Sequence, residues 1–165
     1  MSAKPPVLVR KATPADSQHI VRLILGLAEY EKLPPPDAAA QQRLLNDAFG
    51  DKPRFDIFLA DVEDHICGYA FVFETYSTFL ALPTLYLEDM FVEPQYRGAG
   101  AGFALFRRCV EEADQRGCGR LDWVVLDWNQ MARDFYARIG ASHLEDWCSY
   151  RLTREQFAGI LQPVR

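Results

Sequence analysis

Residues Tyr96-Arg97-Gly98-Ala99-Gly100-Ala101-Gly102 set three glycines at alternate positions between a strand-like run and a helix. The run is Leu85–Val92, stopped by Pro94, and an amphipathic helix starts near Phe103. Glycines at a helix N-terminus leave backbone N–H groups uncovered where the helix dipole is positive, which is a site for a diphosphate. The same segment constrains topology. A strand, a helix and a following strand at Leu121–Leu126 form a crossover that must be parallel and right-handed.

The rest of the chain reads as elements around that unit. Val7–Arg10 is a short strand, and Thr13-Pro14 opens a helix with a Thr cap and a Pro in the first turn. Ile20, Leu23, Ile24 and Leu27 form its apolar stripe, and Pro34-Pro35-Pro36 ends it. A second helix spans Asp37–Phe49 and closes at Gly50. Phe55–Val62 and Ile66–Tyr76 read as antiparallel strands, with Ser77–Pro83 as a loop before the fourth strand. The helix Phe103–Arg116 ends at Gly117, and Leu121–Leu126 is apolar enough for a central strand. Asn129 caps a helix over Gln130–Ile139, and Ser142–Trp147 and Ser149–Leu152 read as closing strands. Thr153-Arg154-Glu155-Gln156 is a capping box for a last helix. These elements predict an α/β (α+β) chain: a mixed, mostly antiparallel sheet of six to seven strands with helices on both faces.

At 165 residues the chain is expected to form a single domain, residues 1–165. A net charge of −5 argues against nucleic-acid or membrane-surface partners. The polar, Pro-rich start Met1–Pro6 gives no leader signal, and no apolar run reaches the ~20 residues of a membrane-spanning helix. Cys67, Cys109, Cys118 and Cys148 lack CxxC spacing, so reduced thiols in a cytoplasmic protein are expected. His19, His65 and His143 are not paired at ligand spacing, and no metal is expected.

Three cofactors compete for the glycine turn. A P-loop needs Gly-Lys-Ser/Thr after the glycines, and Phe103-Ala104 stands there instead. A dinucleotide fold needs GxGxxG after its first strand, whereas these glycines follow the fourth with GxGxG spacing. Arg97–Gly102 instead resembles the Arg/Gln-x-x-Gly-x-Gly/Ala motif of the GNAT N-acetyltransferases. Further segments resemble their diamine (spermidine/spermine-type) branch: Arg10-Lys11-Ala12-Thr13-Pro14-Ala15-Asp16, Tyr30-Glu31, Leu85-Tyr86-Leu87-Glu88-Asp89, Trp128-Asn129, Phe135-Tyr136 and Gly140-Ala141.

That resemblance implies an acetyl-CoA-dependent N-acetyltransferase with a GNAT fold, acting on a primary amine of a small substrate. The cofactor set would be Met90, Phe91 and Val92 on the strand, Arg97, Gly98, Ala99, Gly100, Ala101, Gly102 and Phe103 in the turn, and Asn129, Ala132 and Tyr136. The thioester carbonyl would accept an N–H near Phe91. Tyr30, Glu31, Glu88 and Asp89 would contact the amine, and related enzymes imply a homodimer. The apolar Phe79–Leu82 loop and the C-terminal strands offer surface for that dimer.

Acetyl transfer to an amine needs a base for the ammonium and an acid for the departing thiolate. Glu88 is the candidate base, placed by strand alternation on the face of Tyr86, Met90 and Val92, with Asp89 opposite. Tyr136 is the candidate acid, because a phenol is protonated at neutral pH. Where the diamine branch carries further acids, this chain has Ser77-Thr78-Phe79 and Cys148. With Trp128 and Trp147, these positions favour a less uniformly charged substrate, such as an amino-acid analogue or a peptide amine. The small amines the resemblance implies are a diamine, a polyamine or an amino-acid analogue such as thialysine. Direct attack in a ternary complex is expected, since none of the cysteines falls at a candidate catalytic position. Acetylation of a peptide or protein amine, and CoA binding without catalysis, are the alternatives.

Overall fold

The computed structural model describes residues 5–161, so Met1–Lys4 of the polar N-terminal segment lie outside it. The described chain forms two compact units, divided between Val124 and Val125. The first unit holds a five-stranded sheet in the order β1-β2-β3-β4-β5: β1 Val7–Lys11, β2 Asp56–Val62, β3 His65–Ser77, β4 Leu82–Val92 and β5 Arg120–Trp123. The first four strands pair antiparallel, and β5 joins β4 in parallel through the crossover helix α3, Ala101–Gln115.

The helices cover opposite faces. One face carries Ile57, Leu59, Tyr69, Phe71 and Phe91, packed with Ile20 and Leu23 of α1 (Ser17–Glu31) and Ala48 of α2 (Ala38–Phe49). On the other face, α3 lays the Arg108 guanidinium 4.4 Å from the Phe58 ring centroid. Gly68 is forced by this packing: a Cβ there would meet Phe91 O at 2.7 Å, Val92 Cγ2 at 3.0 Å and Leu105 Cδ1 at 3.3 Å.

Several sequence expectations are corrected. No strand occurs over Ser142–Leu152 among the described residues, so the sheet has five strands and not six to seven. The acidic pair Glu145-Asp146 forms a turn there, and Trp147 N–H bonds back to Leu144 O at 3.3 Å, which breaks any extended run. β5 is an edge strand, not a central one, and ends at Trp123 rather than Leu126. The Ser77–Pro83 loop is shorter than expected, because β3 runs through Ser77 and β4 begins at Leu82. The turn between them carries Ala81 at φ 52°. No helix among the described residues is long and apolar enough to cross a membrane.

Helix α1 matters for the site because its C-terminal end presents Tyr30 and Glu31. Its start is fixed by Asp16, which is buried and takes both Arg10 nitrogens at 2.7 and 2.8 Å. Asp16 also accepts Thr13 N–H at 2.8 Å and Thr13 Oγ1 at 3.0 Å. The Arg10 pair holds the Asp16 carboxyl far below the usual carboxylate range. A depressed folded-state value means stability that is present above the ordinary carboxylate pKa and lost as the pH falls below it. Asp16→Asn is expected to cost about 2 kcal/mol in urea melts at neutral pH, with the gap from wild type closing toward about pH 2.

Candidate active site

The site grows from an irregularity in β4. Ala70 pairs with Met90 and Phe71 with Asp89, but Val72 pairs with Leu87, so Glu88 is an extra residue with no partner on β3. Such a bulge reverses the alternation of side chains. Leu85 and Leu87 are buried before it, whereas Asp89 and Phe91 after it turn to the α1 face. Phe73 and Tyr86 pair on that same α1 face, with ring centroids 5.2 Å apart. Strict alternation is therefore overturned: Tyr86 shares its face with Asp89, and Met90 and Val92 take the other.

The bulge also ends the pairing of β4 with β5. The two strands match from Thr84↔Arg120 to Leu87↔Trp123 and no further. Glu93 N–H donates to Cys67 O at 2.9 Å, so Glu93 and, two residues back, Phe91 turn their main-chain groups toward β3. Met90 and Val92 turn theirs to the opposite edge, which β5 does not cover. Val92 O on that edge accepts Arg97 Nε–H at 2.9 Å. The main-chain groups turned to that edge are therefore those of Met90 and Val92, on either side of Phe91.

The glycine turn follows at once. Pro94–Tyr96 makes a 3₁₀ turn, and Gly98 and Gly100 take φ values of 78° and 103°, a region that favours glycine. Gly100 is the N-cap of α3, and no side chain caps that helix end. The first bond into the helix is Ala104 N–H to Gly100 O at 2.9 Å, which leaves the amides of Ala101, Gly102 and Phe103 ahead of the helical ladder. A Cβ at Gly98, Gly100 or Gly102 would meet nothing within 4 Å. Open space, positive-φ backbone and an uncapped helix start together fit an anionic group.

Arg97 has a role that motif reading missed. Its guanidinium carbon lies 4.6 Å from the Tyr30 ring centroid and 5.7 Å from that of Phe91. The side chain thus pins the turn to the end of α1 and to β4 while the backbone faces outward. Behind the turn, Glu93 pairs with Arg22 and accepts from His65 Nε2 at 2.7 Å, and the His65 ring stacks on Tyr96 at 4.8 Å.

The carboxylates gather on the α1 side of the bulge. Glu88 is exposed, and Asp89 is part-buried. Burial, then the charges of Glu88 and Glu31, push the Asp89 carboxyl up to about 6. Burial also raises Glu31. In the second unit, α4 (Gln130–Arg138) is capped by Asn129, whose side chain accepts Ala132 N–H at 3.2 Å. Phe135 and Tyr136 touch edge to face at 5.3 Å, so these adjacent rings meet rather than part. α5 follows at Arg154–Leu161, with Thr153 N–H bonded to Gln156 Oε1 at 2.8 Å.

The Acetyltransferase (GNAT) family profile matches residues 23–141, which include the bulge, the glycine turn and α4. The chain belongs to the GNAT acetyltransferase family. It is 36% identical over 160 residues to the thialysine N-epsilon-acetyltransferase of Bos taurus, covering 90% of this chain and 94% of that protein. It is 32% identical to the human spermidine/spermine N(1)-acetyltransferase-like protein 1, covering 90% of this chain and 23% of that longer protein. These relatives match the diamine branch of the GNAT family. Among solved structures, an integron cassette protein from V. cholerae superposes with a TM-score of 0.78 at 24% identity, covering 95% of this chain and 98% of that one, and it shares the GNAT fold.

The raised Asp89 gives a stability test of this GNAT site. An acid whose folded-state pKa lies above its unfolded value binds extra protons when folded, so stability falls as the pH rises from about 4 to about 6 and stays reduced above. Asp89→Asn removes that penalty. It is expected to be more stable than wild type by on the order of 1–3 kcal/mol near pH 8, and to show no gain near pH 4, in thermal melts at both values.

Proposed function

We propose that this chain transfers an acetyl group from acetyl-CoA to the primary amine of a small substrate, of the amino-acid-analogue type exemplified by thialysine. The observation that carries this reading is the acidic cluster of Glu31, Glu88 and Asp89 beside the uncovered edge of β4. An amine substrate arrives as an ammonium ion; burial raises both Asp89 and Glu31, and the charges of Glu88 and Glu31 raise Asp89 further, so an incoming cation relieves the site. Tyr30 would contact the substrate from the end of α1.

Acetyl-CoA supplies the activated thioester. The amides from Gly98 to Phe103, together with Arg97 and Ala99, would hold its diphosphate at the start of α3. The main-chain groups of Met90 and Val92, with Phe91 between them, would hold its pantetheine arm as a partial strand. Asn129, Ala132 and Tyr136 would add contacts from α4. Glu88 would take the ammonium proton, and its exposure lets it pass that proton to water. Tyr136 would donate a proton to the departing sulfur. The exposed Phe79, Leu80 and Leu82 at the β3–β4 turn suit a homodimer contact, and unpaired cysteines suit a reducing cytoplasm.

A thiol-release assay with acetyl-CoA against thialysine, diamines, polyamines and short peptides tests the reading. Turnover highest on thialysine supports it, whereas turnover confined to peptides, or none at all, contradicts it. Tyr136→Phe is expected to lower kcat by about 10²-fold or more while acetyl-CoA affinity stays within a few-fold. Glu88→Gln should lower kcat with the same split, measured by steady-state kinetics beside a direct acetyl-CoA titration.

A further inference from the structure

Tyr69 lies in the middle of β3 and is fully buried, with its ring edge-on to Phe71 at 6.2 Å. Its hydroxyl is also fully buried and has no hydrogen-bond partner. A core that needed only an aromatic ring there would be served by phenylalanine, since a buried hydroxyl with no partner is unfavourable. The register shows where the hydroxyl could act. Tyr69 pairs with Phe91 and Phe71 with Asp89, so Tyr69 and Asp89 are diagonal neighbours on the α1 face. That separation is within reach of a tyrosine side chain.

Asp89 meets a matching deficit. No side-chain hydrogen bond or salt bridge reaches its carboxyl among the described residues. The charged groups that bear on it are Glu88 beside it on β4 and Glu31 from α1, both of its own sign. Two cations of this side are committed elsewhere: Arg97 is turned over the Tyr30 ring and bonded to Val92 O, and Arg22 of α1 is paired with Glu93 and bonded to Ile66 O. The register thus makes a buried donor without an acceptor the diagonal neighbour of a part-buried acceptor without a donor.

We propose that Tyr69 is a positioning residue whose O–H is held in reserve for the Asp89 carboxylate, donating to it in the ionised form that receives the substrate ammonium. This rests on the reading of Asp89 as an amine contact. The proton on Asp89 leaves to solvent, the phenol stays protonated, and no covalent bond changes. Tyr69 thereby lets a part-buried carboxylate stay charged between two like charges at the pH where amines bind.

Residue-resolved ¹³C NMR of the Asp89 carboxyl in the full chain, titrated without substrate, tests this. Tyr69→Phe removes one oxygen and is expected to fold with an unchanged Tm or a higher one. Its Asp89 titration should move up by about one pH unit. The KM for the amine should rise about twofold at pH 7 and about tenfold near pH 5 with kcat unchanged, as the smaller ionised fraction of a carboxyl starting at about 6 requires. 3-Fluorotyrosine at position 69, a stronger donor of nearly the same shape, should move the titration down. An Asp89 titration that ignores both changes overturns the proposal. Because the titration needs no turnover, a shift seen in a protein that acetylates no amine would sustain the Tyr69–Asp89 link and reject the proposed substrate class.

Discussion

Glu88, the one unpaired residue in β4, is the constraint on which the site depends. Before it, Leu85 and Leu87 lock β4 into the core and β5 pairs alongside. After it, Asp89 and Phe91 turn toward α1, β5 pairing has ended, and the main-chain groups of Met90 and Val92 face an edge that pairs with no strand among the described residues. Without the bulge, alternation would carry Asp89 and Phe91 to the α3 side, away from Tyr30, Glu31 and Tyr69. One extra residue therefore creates both an acidic recess on one face and a backbone edge able to take a ligand as a partial strand.

The recess is costly to the fold. The charges of Glu88 and Glu31 bear on the part-buried Asp89 near a buried aromatic core, and Arg97 is committed to pinning the glycine turn. Stability is recovered elsewhere in the same unit. Asp16 with Arg10 fixes the start of α1, and Asp56 accepts from Lys11 at 2.5 Å and pairs with Arg116 at the far end of α3. Strain concentrated at a ligand site and offset by well-paired charges away from it is the expected pattern for a site built to bind a cation.

Much of this was legible in the sequence, and the failures have physical causes. The glycine turn could be read because positive φ and an uncapped helix start demand particular residues at particular places. The start of α4 followed from Asn129 as a cap and the end of α1 from Pro34-Pro35-Pro36 as a stop, whereas Thr13 caps only the short turn Pro14–Asp16 ahead of α1, and Asp37 proves to be the cap of α2 rather than its first residue. The bulge could not be read, because Leu85, Leu87, Asp89 and Phe91 also satisfy a regular strand and only the pairing with β3 reveals the extra residue. Tyr69 was invisible for a similar reason: among Ile66, Ala70 and Phe71 it reads as core, and its hydroxyl gains meaning only opposite Asp89. The closing strands were misread because Ser142–Leu152 has β-compatible residues, but its acidic pair makes a turn instead.

We propose that acetyl-CoA binds along the edge of β4 that the bulge turns away from β3, at the main-chain N–H groups of Met90 and Val92, together with the amides that open α3. Residue-resolved amide hydrogen exchange with and without acetyl-CoA tests it most directly. The amides of Met90, Val92 and Ala101–Phe103 are expected to exchange rapidly in the free protein and to become strongly protected with the ligand, while those of Leu85 and Leu87, already paired in the sheet, do not change. Unchanged exchange at Met90 and Val92 in a protein saturated with acetyl-CoA would contradict it.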